Sequence, residues 1–190
     1  MGVPVIAPQR AGHGRLRVAS TALAATLIGA SGLTAATVGV EVKAAFLYNF
    51  AKFTEWPAET LPPGKALTLC VVGDSGVADA LEQLISGHEI DGRELTVQIV
   101  RMDAPVAGCH LLYVSAGELS RESIVLASLK QLPILTVSDA EGFADAWGIV
   151  QLFIENNRIR FAINPKAAER ARLRLSSKLL SLARIVREQP

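Results

Sequence analysis

This sequence predicts a single α/β domain, a doubly wound, mostly parallel sheet with helices on both faces and a C-terminal antiparallel hairpin. Three observations predict it. From residue 41 onward, short apolar runs of strand type alternate with segments of helical period. The runs are continuous rather than polar-apolar alternations, as strands covered on both faces require. The last two runs, residues 149–155 and 158–163, are joined by Asn156-Asn157, a pair that tolerates positive φ and closes a tight hairpin.

Taken in order, residues 41–56 place Val42, Ala45, Phe46, Phe50, Phe53 and Trp56 on one helical face, and Pro57 ends the pattern. Asn49 falls inside that apolar arc and is expected as a buried, hydrogen-bonded amide. A Pro62-Pro63-Gly64 turn leads into a strand at 67–72, closed by Gly73-Asp74-Ser75-Gly76. Val77, Ala80, Leu81, Leu84 and Ile85 then recur with the spacing of an amphipathic helix, and Asp91-Gly92 is a turn. Strands follow at 95–100, 110–114 and 134–137, with a helix at 118–129 and a short helical piece around Phe143. Asn164-Pro165 caps and opens a short helix to Ala171. Leu173-Arg174-Leu175 alternates, and Ser176-Ser177 caps a last helix whose Leu179, Leu182, Ala183 and Val186 are expected to face inward.

The N-terminus has a different character. Arg10, Arg15 and Arg17 precede an apolar run of small residues from Val18 to Val40, with no acid before Glu41. A secretory signal covering about residues 1–36, cleaved near Ala36, is expected, with an uncleaved anchor as the alternative. The domain proper is then residues 41–187. The chain has 19 Lys+Arg and 18 Asp+Glu; without the three N-terminal arginines, 16 cations face 18 acids. That balance offers no basic excess for nucleic acid or anionic lipid. Cys70 and Cys109 are the two cysteines. In an exported protein an even count points to one disulfide, two buried free thiols being the alternative, and the lack of Cys-x-x-Cys argues against a redox enzyme.

Catalytic chemistry finds little support. His88 and His110 have no metal-ligand partners at suitable spacing, and the neighbours Cys109 and His110 point to opposite faces of a strand. There is neither a Gly-x-Ser-x-Gly elbow nor a phosphate loop. No catalytic residue, metal or cofactor is expected. A doubly wound sheet does offer a crevice beyond the carboxyl ends of its strands. Asp74, Ser75, Ser115, Ser138 and Asp139 fall there and could hold a small solute, although helix caps and turns use the same residue types. For a protein partner, a near-neutral body relies on a local apolar patch with a few placed charges. Two regions qualify: the outer rim of the first helix, with Leu47, Tyr48, Lys52 and Trp56, and the basic cluster Arg172, Arg174 and Lys178 before the last helix.

Six ordered blocks carry a family resemblance. They are the aromatic-rich stretch from Glu41 through Phe46-Leu47-Tyr48-Asn49-Phe50 to Trp56-Pro57, then Leu69-Cys70-Val71-Val72-Gly73-Asp74 and Cys109-His110-Leu111-Leu112-Tyr113-Val114-Ser115. Leu135-Thr136-Val137-Ser138-Asp139, Ile159-Arg160-Phe161-Ala162-Ile163-Asn164 and Leu175-Ser176-Ser177-Lys178-Leu179-Leu180 complete the set. Over essentially all of residues 41–187 the chain resembles the YfiR-like family of exported bacterial proteins. The resemblance implies a periplasmic, non-catalytic homodimer with no membrane insertion after signal cleavage. It implies action by binding the periplasmic sensor domain of an inner-membrane diguanylate cyclase, or a similar signalling protein, so that cyclic-di-GMP and biofilm output stay low. The family's first cysteine pair matches Cys70 and Cys109; a second pair that some relatives carry near the hairpin has no counterpart around Trp147 to Phe153. Arg172 stands where a small residue is usual, so a different turn is expected there.

Overall fold

The computed structural model describes residues 1–2, 34–101, 103–119 and 129–187. Nearly all of the expected signal, and most of the helix expected at 118–129, lie outside the described residues. The chain runs through α1 (Thr34–Lys52), β1 (Thr54–Glu55), β2 (Leu67–Val72), α2 (Ser75–Ile85), β3 (Glu89–Ile90), β4 (Arg93–Ile99), β5 (Leu111–Val114) and α3 (Ala116–Leu119). A 3-10 turn (Leu129–Gln131), β6 (Leu135–Ser138), α4 (Phe143–Ala146), β7 (Val150–Glu155), β8 (Arg158–Ile163), α5 (Pro165–Arg170), β9 (Arg174–Leu175), α6 (Ser177–Leu182) and β10 (Arg184–Ile185) follow.

Eight strands form one sheet in the order β10-β8-β7-β6-β5-β2-β4-β3, while β1 and β9 make a separate ribbon. Pairing is parallel from β4 through β2, β5 and β6 to β7, and between β8 and β10; it is antiparallel in the β3–β4 and β7–β8 hairpins. This is the mostly parallel α/β sheet with a C-terminal hairpin that the sequence predicts. Both hairpins turn on paired left-handed residues, Asp91-Gly92 and Asn156-Asn157. Alternate residues of each strand serve two cores. On one face Leu69, Val71, Leu111, Tyr113, Leu135 and Val137 pack with residues of α1 and α2. On the other, Cys70, Val72, Leu112 and Val114 meet Val106, Cys109, Leu129 and Ile134. Cys70 and Cys109 are joined in a disulfide with Cα atoms 5.7 Å apart, which closes the free-thiol alternative.

The first helix is rotated relative to the expected arc. Its buried residues are Ala44, Leu47, Phe50 and Ala51, so Leu47 belongs to the core and not to an outer rim. Asn49 is exposed, its amide donating to the Ala45 carbonyl at 2.7 Å. The sequence arc is centred on the largest side chains, whereas a helix wedged between α2 and the sheet turns its small residues, Ala44 and Ala51, to the closest approach. Phe46 and Phe50 then reach sideways to Phe161. The helix also stops at Lys52 rather than Trp56, because Thr54 and Glu55 pair with Leu175 and Arg174.

The C-terminus departs from expectation as well. α6 ends at Leu182, which is 69 % exposed rather than inward-facing, and Arg184–Ile185 extends the sheet beside β8. Arg172, by contrast, keeps the turn a small residue would make. It sits at φ 57, Leu173 N–H donates to the Ala168 carbonyl and Arg172 N–H to that of Glu169. Those bonds complete a Schellman ending for α5, with the left-handed position filled by arginine at a steric cost of about 1 kcal/mol.

Candidate functional site

The parallel strands begin inside the sheet at β2, step outward to β4, then return across β2 to β5, so the winding reverses between β2 and β5. Ligands of such sheets bind beyond the carboxyl ends at the reversal. Here Gly73 turns the chain out of β2 at φ 79, and a Cβ on it would collide with the Ser115 hydroxyl and the Glu118 side chain. That close approach packs the β2 and β5 exits together. Asp74 caps α2, accepting from Val77 N–H at 3.1 Å, and Ser75 is the first helical residue.

The structure brings Asp74, Ser115 and Asp139 together and adds a residue the sequence reading does not include. Lys43 of α1 reaches into the crevice, where its Nζ lies 2.7 Å from Asp139 Oδ2, 3.6 Å from Asp74 Oδ2 and 3.2 Å from the Tyr113 hydroxyl. The other Asp139 oxygen accepts from Ala116 N–H at 2.8 Å. All three charged side chains are about a quarter exposed. Burial pushes the Asp139 carboxyl upward, but the hydrogen bond and charge of Lys43, with the Ala116 N–H and Tyr113 hydroxyl, outweigh it and hold the pKa below the usual range. Burial, together with the charges of Asp139 and Asp74, drives the Tyr113 phenol far above its ordinary value, so it stays protonated. Ser138 lies outside this group of side chains: it is buried, and its hydroxyl accepts from Ala140 N–H.

The cluster is therefore a cation held by two carboxylates and a phenol, with the cation supplied by the chain itself. It fastens α1 to the carboxyl ends of β2, β5 and β6, and Lys43 and Asp139 also line a groove of about 620 Å³. A signal for Lys43 exists in the sequence: it stands three and seven residues before Phe46 and Phe50, a charge on an otherwise apolar stripe.

A second buried group lies at the opposite end of β5. His110 accepts a hydrogen bond from Thr68 N–H on Nδ1 at 3.0 Å, so the neutral ring carries its proton on Nε2. Among the described residues, His110 Nε2 is a buried side-chain polar atom without a hydrogen-bond partner. Trp56 packs edge-on against the ring and donates from Nε1 to the His110 carbonyl at 3.0 Å. Burial lowers the His110 pKa, opposed by the Thr60 backbone and assisted by the charges of Lys65 and Arg93. The folded state thus takes up the His110 proton less readily than the unfolded chain. Its stabilising contribution is complete above the unfolded pKa near 6.5 and is lost as pH falls through the lower folded value. The melting temperature is expected to decline below about pH 6.5. His110→Asn, which keeps an acceptor for Thr68, should flatten that decline; an unchanged profile would assign it to other groups.

The partner-binding candidates fall into one connected region and two separate places. Glu55 pairs with Arg174 across the β1–β9 ribbon, Arg172 Nη1 bonds Glu59 at 2.6 Å, and Lys178 lies over the Phe53 ring. The basic cluster and the end of the first helix therefore form a single surface, with Lys52 exposed beside it in sequence. Tyr48 is elsewhere, edge-on to His88, and Trp56 is committed to His110. Among the described residues no three His, Cys, Asp or Glu side chains converge as a metal site, and no helix is long and apolar enough to cross a membrane. The YfiR/HmsC-like family model matches residues 40–184, which takes in both the Lys43 cluster and the ribbon surface. With that match over most of its length, the chain belongs to the YfiR/HmsC-like family of periplasmic regulatory proteins.

Proposed function

We propose that this protein is exported behind a cleaved N-terminal signal and works in the periplasm as a non-enzymatic, dimeric repressor. Its target is the periplasmic sensor domain of an inner-membrane signalling enzyme, a diguanylate cyclase, and repression keeps cyclic-di-GMP and biofilm formation low. The family match over residues 40–184 carries this reading.

The surface around the β1–β9 ribbon is the proposed contact. Arg172 and Arg174 are more than half exposed, and their ion pairs with Glu59 and Glu55 contribute little to folding at such positions. Their planar forks suit carboxylates on a partner. The double variant Arg172→Glu/Arg174→Glu is expected to fold normally and to bind the cyclase's sensor domain about tenfold more weakly or worse. Deleting the protein should raise cellular cyclic-di-GMP and attachment. Unchanged cyclic-di-GMP on deletion, with no membrane cyclase co-purifying, would end the repressor reading; full-strength binding by the double variant would move the contact elsewhere.

A further inference from the structure

The two edges of the eight-stranded sheet are finished differently. At one, β10 is two residues long and carries Arg184, the short and charged ending that discourages further pairing. At the other, β3 covers only Arg93 and Glu94 of β4, and on that outer side no described strand pairs with residues 95–99, whose inner side is paired with β2. That segment, Leu95-Thr96-Val97-Gln98-Ile99, has no charge, proline or glycine. The backbone directions of this edge follow from its neighbours. Val100 N–H donates to the Val71 carbonyl, while His110 and Ser115 N–H groups donate to Thr68 and Val72 on the far side of β2. Even-numbered residues of β4 thus bond to β2, and Leu95, Val97 and Ile99 turn their N–H and C=O groups outward. The side chains of these three residues lie on the α2 face, where Leu95 and Val97 pack against the core and Ile99 is left 64 % exposed. A groove of about 570 Å³, with Ile85, Leu95 and Val97 in its wall and Glu82, Glu89 and Glu94 also lining it, runs beside the edge.

We infer that β4 is the dimer edge, pairing antiparallel with β4 of a second copy about a two-fold axis at Val97. The segment is self-complementary in this register. Val97 meets Val97 of the second copy, and Leu95 meets Ile99, so outward-facing residues pair with outward-facing residues and exchange both backbone bonds. The same register sets apolar side chains opposite apolar ones on the α2 face and Thr96 opposite Gln98 on the other. Ile99 gains a cross-strand neighbour, and the groove receives the second copy's strand. Of the charged residues flanking the segment, Arg93 is turned back onto the Pro62 and Lys65 carbonyls and Arg101 is paired with Asp103, while exposed Glu94 falls opposite uncharged Val100 of the second copy in this register.

This inference rests on the dimer proposed above and states where it is joined; it is independent of which enzyme is regulated. Sedimentation equilibrium of the exported, disulfide-bonded protein across the micromolar range tests it with two variants. Val97→Pro removes an outward donor without breaking a bond to β2, and Ile99→Lys places a charge on the edge. Each is expected to weaken dimerisation by about tenfold or more, while circular dichroism and melting stay near those of the parent. Ile154→Lys, on the exposed β7–β8 hairpin, should leave the dimer unaffected. A parent protein that stays monomeric throughout refutes both the dimer and its location. A dimer that survives in Ile99→Lys, and in Val97→Pro if that variant folds, refutes the location alone.

Discussion

Replacing Cys70 and Cys109 together by alanine is expected to lower the unfolding free energy by about 4 kcal/mol, and the melting temperature by roughly 8–16 °C. The bond links residues 39 apart in sequence, and in the chain-entropy account a loop of that length restricts the unfolded ensemble by about this amount. Native topology does not depend on it. β2 and β5, which carry or adjoin the two cysteines, are already neighbours in register, with Leu69 opposite Leu111 and Cys70 opposite Leu112. The variant should therefore keep its fold and, with the ribbon surface intact, its binding. Calorimetry of parent and variant in oxidising buffer, with the parent repeated under reductant, separates the cases. A drop under about 3 °C would mean that Val72, Val106 and Leu112 hold this part of the core without the cross-link.

The turns at Asp91-Gly92 and Asn156-Asn157 and the succession of the principal strands along the chain were legible in the sequence because each depends on local chemistry, and the disulfide because the chain has two cysteines. Asn156-Asn157 and Asp91-Gly92 accept left-handed geometry whatever surrounds them, and a continuous apolar run such as Leu67–Val72 has few alternatives to a buried strand. What was hidden depends on distant partners. Thr54–Glu55 is a strand only because Arg174–Leu175 lies beside it, and the face of α1 is set by α2, which makes Ala44 and Ala51 count for more than Phe53. In the candidate site, the carboxyl-end position of Asp74 and Asp139 follows from the strand pattern. Lys43 could not be placed by the same rule, since its partners are 31 and 96 residues away and on other elements. Two-residue strands such as β9 and β10 carry too few positions for any period to show.

Lys43→Met is expected to destabilise the protein by about 2 kcal/mol at neutral pH. Breaking a fully buried ion pair costs about 3–5 kcal/mol, and the quarter exposure of Lys43, Asp74 and Asp139 reduces that through solvent screening. Methionine keeps most of the apolar stem, so the loss is mainly one of charge. Its pH dependence follows from Asp139. In the parent the carboxyl is held below its ordinary value of 3.8, so its stabilising contribution is present above that pH and is lost as pH falls through the folded pKa. Without Lys43 the two influences that lowered it most are gone, and burial, the largest single influence, is expected to outweigh the remaining Ala116 N–H and Tyr113 hydroxyl and raise the folded pKa above the ordinary value. The variant is then relieved, rather than weakened, by protonation of Asp139. The stability gap between parent and variant should accordingly narrow as pH falls from 7 towards about 4. Adding Asp139→Asn, whose oxygen can still accept from Ala116 N–H, should recover part of the loss and give a coupling of about 1–2 kcal/mol with Lys43. Denaturant titrations of the four proteins across that range decide it. A gap that stays constant with pH, with additive single effects, would show that Lys43 holds α1 against the sheet through its stem and not through its charge.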